Sequence, residues 1–212
     1  MAQKPKQLSL PIRTWGGKRK NAGGRKPPGW KPAVAHRSRE PMHRRSALHV
    51  TMRMAPSVYN LRSKRSLRVI EAGLRAGAVR FGVLVVQTSI QGNHIHFLVE
   101  ADDARSLGRA MKGLAIRMAR GLNRMMGRDG GQVFAERYHA HLLRTPTEVR
   151  NAIHDLRHNR RHHLGERAAL LPTSFVDPYT SDAEALAAIL PPATLWILKT
   201  GWLRARGPAR AP

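Results

Sequence analysis

The sequence predicts an α+β fold: one antiparallel sheet assembled in the order β-α-β-β-α-β and closed by a further helix. Three observations predict it. Stretches of β-branched or alternating residues take turns with stretches in which apolar residues recur every three or four positions. Gln91-Gly92-Asn93 supplies turn chemistry between two strands. The last helix opens on Thr145-Pro146-Thr147-Glu148, a capping box with Pro at the first helical position.

Each element can be placed in turn. His49-Val50-Thr51-Met52-Arg53 alternates and suits a short strand. Leu61, Leu67, Ile70, Leu74 and Ala78 share helical spacing across 61–80, with Arg and Lys between them, and Gly82 ends that run. Val83–Ile90 is β-branched, and His94–Glu100 is a second strand, so 83–100 forms a hairpin. Leu107, Met111, Leu114, Met118, Leu122 and Met125 mark a helix over 103–126, a methionine-rich stripe that packs a core. Gln132–Leu143 reads as a fourth strand, and the capped helix follows from Thr145. This order is the split-βαβ, ferredoxin-like arrangement. Two helices cover one sheet face, and the other face is left for a site against which the final helix can lie.

The flanks differ from this core. Residues 1–46 are rich in Lys, Arg, Gly and Pro without apolar periodicity, a basic arm expected to be disordered. Gly24-Arg25-Lys26-Pro27-Pro28-Gly29 within it approaches an AT-hook core, with Lys26 where that core has glycine. Residues 165–212 read as a separate tail carrying Asp177-Pro178-Tyr179, Trp196 and Trp202, the tryptophans packing it onto the domain or stacking on bases. The domain between them spans 47–164.

Charge narrows the function. The 212 residues hold 38 Lys and Arg against 13 Asp and Glu, a formal net charge of +25. Such an excess repels itself until a polyanion neutralises it, so nucleic acid is the expected partner. With no signal peptide and no apolar run of spanning length, no membrane role is expected. The absence of cysteine excludes disulfides and thiolate zinc sites. A cytoplasmic, nucleoid-associated bacterial protein fits these features.

The sharpest local feature is His94-Ile95-His96. Two residues apart on a strand, both imidazoles project from one face, while Ile95, Phe97 and Val99 point to the other. Neutral imidazoles ligate divalent metals, and a metal there could polarise a phosphoryl oxygen. A pair of histidines on an exposed strand is by itself weak evidence, since the chain has 11 of them.

Asn93-His94-Ile95-His96-Phe97-Leu98-Val99 resembles the His-hydrophobe-His motif of the single-tyrosine HUH transposases, in particular the REP-associated tyrosine transposases and their insertion-sequence relatives. The resemblance extends over His49 to His163 and takes in Val133-Phe134-Ala135-Glu136-Arg137-Tyr138-His139, Leu143-Arg144-Thr145-Pro146, and Leu195-Trp196-Ile197-Leu198 with Gly201-Trp202. It implies an HUH domain that cuts and rejoins single-stranded or hairpin DNA. Mg²⁺ or Mn²⁺ on His94 and His96 would hold the scissile phosphate. A tyrosine would attack to give a covalent DNA link that conserves the bond energy. The family contains monomers and dimers, so a homodimer is left open.

The resemblance also implies a third metal ligand on the last helix, matched by Asn159, and a tyrosine four residues earlier. That position is Asp155. The helix buries Val149, Ala152, Ile153 and Leu156, which places Asp155 and Asn159 together at one edge of the stripe. Of the three tyrosines, Tyr59 lies in a loop before the first helix, Tyr179 in the tail and Tyr138 on the fourth strand. Three arrangements stay open: a decayed transposase that binds DNA without cutting; attack by Tyr138 with Asp155 in the metal shell; or hydrolysis by water as a nuclease. Arg25, Lys26, Arg117, Arg120, Arg124, Arg137, Arg157 and Arg161 are the expected DNA-binding cations. An RNA-binding sheet is the competing class, disfavoured because its open face would carry aromatics and this one carries imidazoles.

Overall fold

Five strands build the sheet in this computed structural model, which describes residues 41–42 and 44–207. In chain order they are β1 (Ser46–Arg53), β2 (Val79–Arg80), β3 (Val83–Ile90), β4 (His94–Ala101) and β5 (His139–Leu143). The sheet order is β2-β3-β4-β1-β5, with every neighbouring pair antiparallel. Setting the two-residue β2 aside, this is the ferredoxin-like order that the sequence predicts. The basic arm up to residue 40, with Arg25 and Lys26, lies outside the described residues.

Helices α1 (Lys64–Gly77) and α2 (Ala104–Met125) cover one face. Leu48, Val50 and Met52 of β1, Val85 and Ile90 of β3, and Ile95, Phe97 and Val99 of β4 meet Ile70, Leu74, Leu107, Met111, Leu114, Met118 and Leu122 in the main core. The methionine stripe is thus core, filling gaps with a flexible thioether. The two helices cross closely because glycines line the seam. A Cβ on Gly73 would stand 3.0 Å from Met118 Cγ, and one on Gly121 would stand 2.5 Å from Val69 Cγ1. Val69 is β-branched and stiff in a helix, so it cannot turn aside. Gly121→Ala is therefore expected to cost about 1–3 kcal/mol, seen as a lower urea midpoint with an unchanged slope.

Helix α3 (Pro146–Leu164) lies on the opposite face. Its Thr145 cap accepts from the Glu148 N–H at 3.2 Å while the Glu148 carboxylate accepts from the Thr145 N–H at 3.3 Å. Val149, Ala152, Ile153 and Leu156 pack on Ala47, Val86, Leu98 and Leu143, forming a second, smaller core.

Two expected elements differ in length. The first helix is shorter than 61–80 because Ser63 caps it, accepting from the Ser66 N–H at 3.1 Å, and the Phe81-Gly82 turn, both at positive φ, folds Val79-Arg80 back on β3. The fourth strand is shorter than 132–143. Gln132 Nε2 donates to the carbonyls of Phe134 and Ala135 at 2.9 and 3.1 Å, tying a turn there, and only an isolated bridge joins Phe134 to Met54.

Residues after 164, read from the sequence as a tail, are fastened to the domain. Tyr179–Ser181 run along the free edge of β3, where Ile90 N–H donates to Tyr179 O at 2.8 Å and Ser181 N–H to Thr88 O at 2.9 Å. Asp177 accepts two hydrogen bonds from Arg62, at 2.7 and 2.9 Å. After the short α4 (Glu184–Ala187), Thr194 and Leu195 are held by the buried Glu100, whose Oε1 accepts from both N–H groups at 2.6 and 2.8 Å and whose Oε2 accepts from the Thr194 hydroxyl. Arg45 supplies the countercharge to Glu100 at 3.2 Å. Helix α5 (Trp196–Lys199) then brings Leu198 and Trp202 into the smaller core. Trp202 thus packs, whereas Trp196 is half exposed against Gly201 and Arg204. Among the described residues no helix is long and apolar enough to cross a membrane.

Candidate metal and nucleic-acid site

Strand alternation delivers His94 and His96 to the α3 face of the sheet, as the spacing requires. Their rings lie 4.6 Å apart between centroids and nearly perpendicular. Each ring has a partner on Nδ1. His94 Nδ1 lies 2.7 Å from Asn93 Oδ1, an acceptor, so this nitrogen carries the proton and Nε2 carries the lone pair. His96 Nδ1 lies 3.0 Å from His49 Nε2 and 3.1 Å from Thr51 Oγ1. In the tautomer that donates from Nδ1, His96 likewise presents Nε2. Such second contacts on the far nitrogen orient imidazoles for coordination.

More histidines share this face than the sequence motif names. His49 stands opposite His141 and Thr51 opposite His139 across β1 and β5, so all four point toward the α3 side. From α3, His163 brings its ring within 5.9 Å of His94. A second His-x-His, His139-Ala140-His141, was the available sequence signal for this enlargement. Arg53 pairs with His94 across strands and is exposed beside it.

Burial and mutual repulsion favour the neutral form of His49, His94 and His96. Desolvation lowers the pKa of His96 from 6.5 to about 3, with further lowering by His49, His94 and His163. Desolvation, then His141 and His139, lowers that of His49 to about 4. His94 is also shifted down, first by desolvation, then by His163 and Arg53. Neutral imidazole is the ligating form, so the donor chemistry fits a divalent ion. No three His, Asp or Glu side chains among the described residues are arranged to hold a metal ion, so completion of a shell would fall to an amide, water or phosphate.

The remaining expected site residues fall in different places. Asp155, Asn159 and His163 are spaced by single turns along one stripe of α3. It is His163 that meets His94. Asn159, partly buried, is one turn back, and Asp155, exposed, is about 12 Å along the axis from His163. Reading the stripe one turn further puts His163 in the ligand position and Asn159 in the nucleophile position, and neither register supplies a tyrosine. Tyr138 packs against the main core on the α1–α2 side, its hydroxyl 3.9 Å from where a Cβ on Gly108 would stand. The sheet separates it from the histidines, so the two do not meet.

The expected DNA-binding arginines split three ways. Arg120 and Arg124 are exposed on α2, on the side opposite the histidines, and Arg117 nearby donates to the Gly113 carbonyl at 2.9 Å. Arg137 is exposed beside Tyr138. Arg157 pairs with Asp182 at 3.2 Å, and Arg161 donates to Pro172 O at 2.7 Å, so both hold the C-terminal segment instead of standing free for phosphate.

No family model matches the sequence, and no curated protein matches it. Among solved structures it is similar to a REP-associated tyrosine transposase bound to a REP hairpin, with a TM-score of 0.52 at 9% identity, covering 84% of this chain and 99% of that one. A protein from Deinococcus radiodurans, solved as a suspected transposase, aligns over 57% of this chain and 97% of its own at 16% identity and a TM-score of 0.39, too loosely to bear on the fold. At such identities the likeness is one of fold: the chain has the α+β architecture of a tyrosine transposase.

Proposed function

We propose that this protein binds single-stranded or hairpin DNA on a transposase-type domain and carries out no tyrosyl strand transfer. The observation that carries the reading is the placement of the tyrosines. Tyr138 and Tyr179 pack against the main core on the α1–α2 side, and Tyr59 sits by the end of α2, its backbone N–H 3.4 Å from Met126 Sδ. None faces His94 and His96. The net charge of +25 and the solved transposase on its REP hairpin support a DNA partner.

His94 and His96 would hold a divalent ion, with the amide of Asn159 as the candidate third donor. Two imidazoles suit Mn²⁺ better than Mg²⁺, which prefers oxygen donors. When bound, the ion would polarise a phosphoryl oxygen of the DNA backbone. Arg53 would lie beside that phosphate.

The full chain with Mn²⁺ and a labelled hairpin is expected to shift in a gel and form no DNA adduct that survives denaturation. Affinity should fall on the order of a thousandfold between low and moderate salt if about six phosphates are contacted. His94→Ala with His96→Ala should abolish Mn²⁺ binding and keep the shift. An adduct resistant to denaturant, lost on replacing any one tyrosine by Phe, would sink this reading. The oriented imidazoles favour a second reading, hydrolysis by water, which the same assay registers as cleavage without adduct, lost in the double variant.

A further inference from the structure

Away from the stripe that meets the sheet, α3 carries a second pair of histidines. His154 and His158 are four residues apart, so their side chains project one above the other from successive turns. Their rings are stacked, with centroids 4.0 Å apart and planes inclined by 26°. His158 Nδ1 donates to the His154 carbonyl at 3.0 Å, so its Nε2 carries the lone pair. His154 Nδ1 is buried and makes no hydrogen bond among the described residues, and a buried nitrogen left so calls for a partner. Desolvation, then His158, lowers the pKa of His154, with Asp155 opposing and Arg150 reinforcing, which favours the neutral, ligating ring. A cavity of about 260 Å³ adjoins His158 on the side of the C-terminal segment and has room for water. Of the arginines that line it, Arg157 is matched by Asp182 at 3.2 Å.

We propose that the facing imidazoles of His154 and His158 form a two-ligand Zn²⁺ site on the outer side of α3, separate from His94 and His96. The i, i+4 spacing is the one at which two helical histidines reach a single zinc ion. Ligation lies in the plane of each imidazole, so capture would turn the rings from stacked to convergent. Two nitrogen donors without a carboxylate suit zinc, whereas Mg²⁺ prefers oxygen and Mn²⁺ stands low in the affinity order. Water completes the shell, because no third His, Asp or Glu among the described residues is placed to join the pair. The ion ties together the turn from 154 to 158, which leads directly into Asn159, and so stiffens the part of α3 that carries the candidate donor to the other site. The inference does not depend on DNA binding.

The test uses the full chain carrying His94→Ala and His96→Ala, so that the sheet site is silent, and counts bound Zn²⁺ by calorimetric titration. Adding His154→Gln and His158→Gln should lower the count by one ion, a difference that other histidines of the chain do not affect. In the first protein, zinc at about ten times its dissociation constant should slow amide hydrogen exchange over 154–162 on the order of tenfold. In the second it should leave that exchange unchanged. Urea midpoints without metal check that both proteins are folded. Should the fourfold variant fold poorly, His158→Gln alone on the same background reads the same difference. An equal zinc count in the two proteins, or slowed exchange that survives the glutamines, would overturn the site.

Discussion

Replacing Asp177 with Ala is expected to lower the unfolding free energy by about 3–5 kcal/mol, the cost of leaving a buried charge without its partner. The Arg62 side chain is 13% exposed and Asp177 2%, so water cannot substitute for the lost carboxylate. Arg62 also donates to the Ile90 carbonyl at 3.0 Å, and its guanidinium lies 4.3 Å above the Tyr179 ring. The Tyr179 hydroxyl returns a bond to Arg62 O at 2.6 Å. One pair therefore fixes the loop before α1, the end of β3 and the segment that lines the β3 edge. Domains of this size have about 5–15 kcal/mol to lose, so the variant should unfold at a much lower urea concentration. Arg62→Met combined with Asp177→Leu should recover most of the loss, because it removes both charges and keeps the volume. If the single variant matches the wild type in urea midpoint, the pair is not the fastening described.

Acid is expected to destabilise the protein well before its carboxylates titrate. In the unfolded chain histidines take up protons near pH 6.5, whereas folded His49 stays neutral down to about pH 4 and His96 down to about 3. Between those limits the unfolded state binds more protons, so stability falls as pH falls from about 6.5 and the loss levels off below about 3. His49 alone accounts for about 3 kcal/mol by pH 4, at 1.36 kcal/mol per pKa unit. The surroundings sharpen the effect, because His94, His139, His141, His163 and Arg53 would add charge of the same sign. Urea midpoints at pH 7.5, 5.5 and 4.5 measure this. His49→Gln should flatten the curve, and a wild-type curve already flat over that range would refute the account.

How much of this could be read beforehand depended on how local the signal was. The α3 start was legible because its cap lies within four residues, and the β3–β4 hairpin because Gly92-Asn93 marks its turn. His94 and His96 were legible for the same reason, since a period of two needs no partner strand. His49 and His163 were not, because they reach the site through register and helix docking, and the period of His139-Ala140-His141 does not by itself say which strand it faces. Arg157 and Arg161 looked like phosphate contacts because their helix positions are outward. Their partners, Asp182 and Pro172, come from a segment with no periodicity to announce its route. The missing tyrosine was evident from the sequence, but the separation of Tyr138 from the histidines required knowing which way β5 and the turn before it face.

The clasp on Glu100 sets a condition on how the molecule can be made. Its hydroxyl partner is 94 residues downstream, and the carboxylate sits near the C-terminal end of β4. A nascent chain must hold this strand for several seconds before the matching stretch emerges, at about 5–20 residues per second. During that interval an anionic side chain and the part of the smaller core that Leu198 and Trp202 later cover stay wet, so the sheet forms early and locks late. Synthesis arrested near residue 170 should yield a protease-sensitive intermediate, and release of the remainder should convert it to a resistant one.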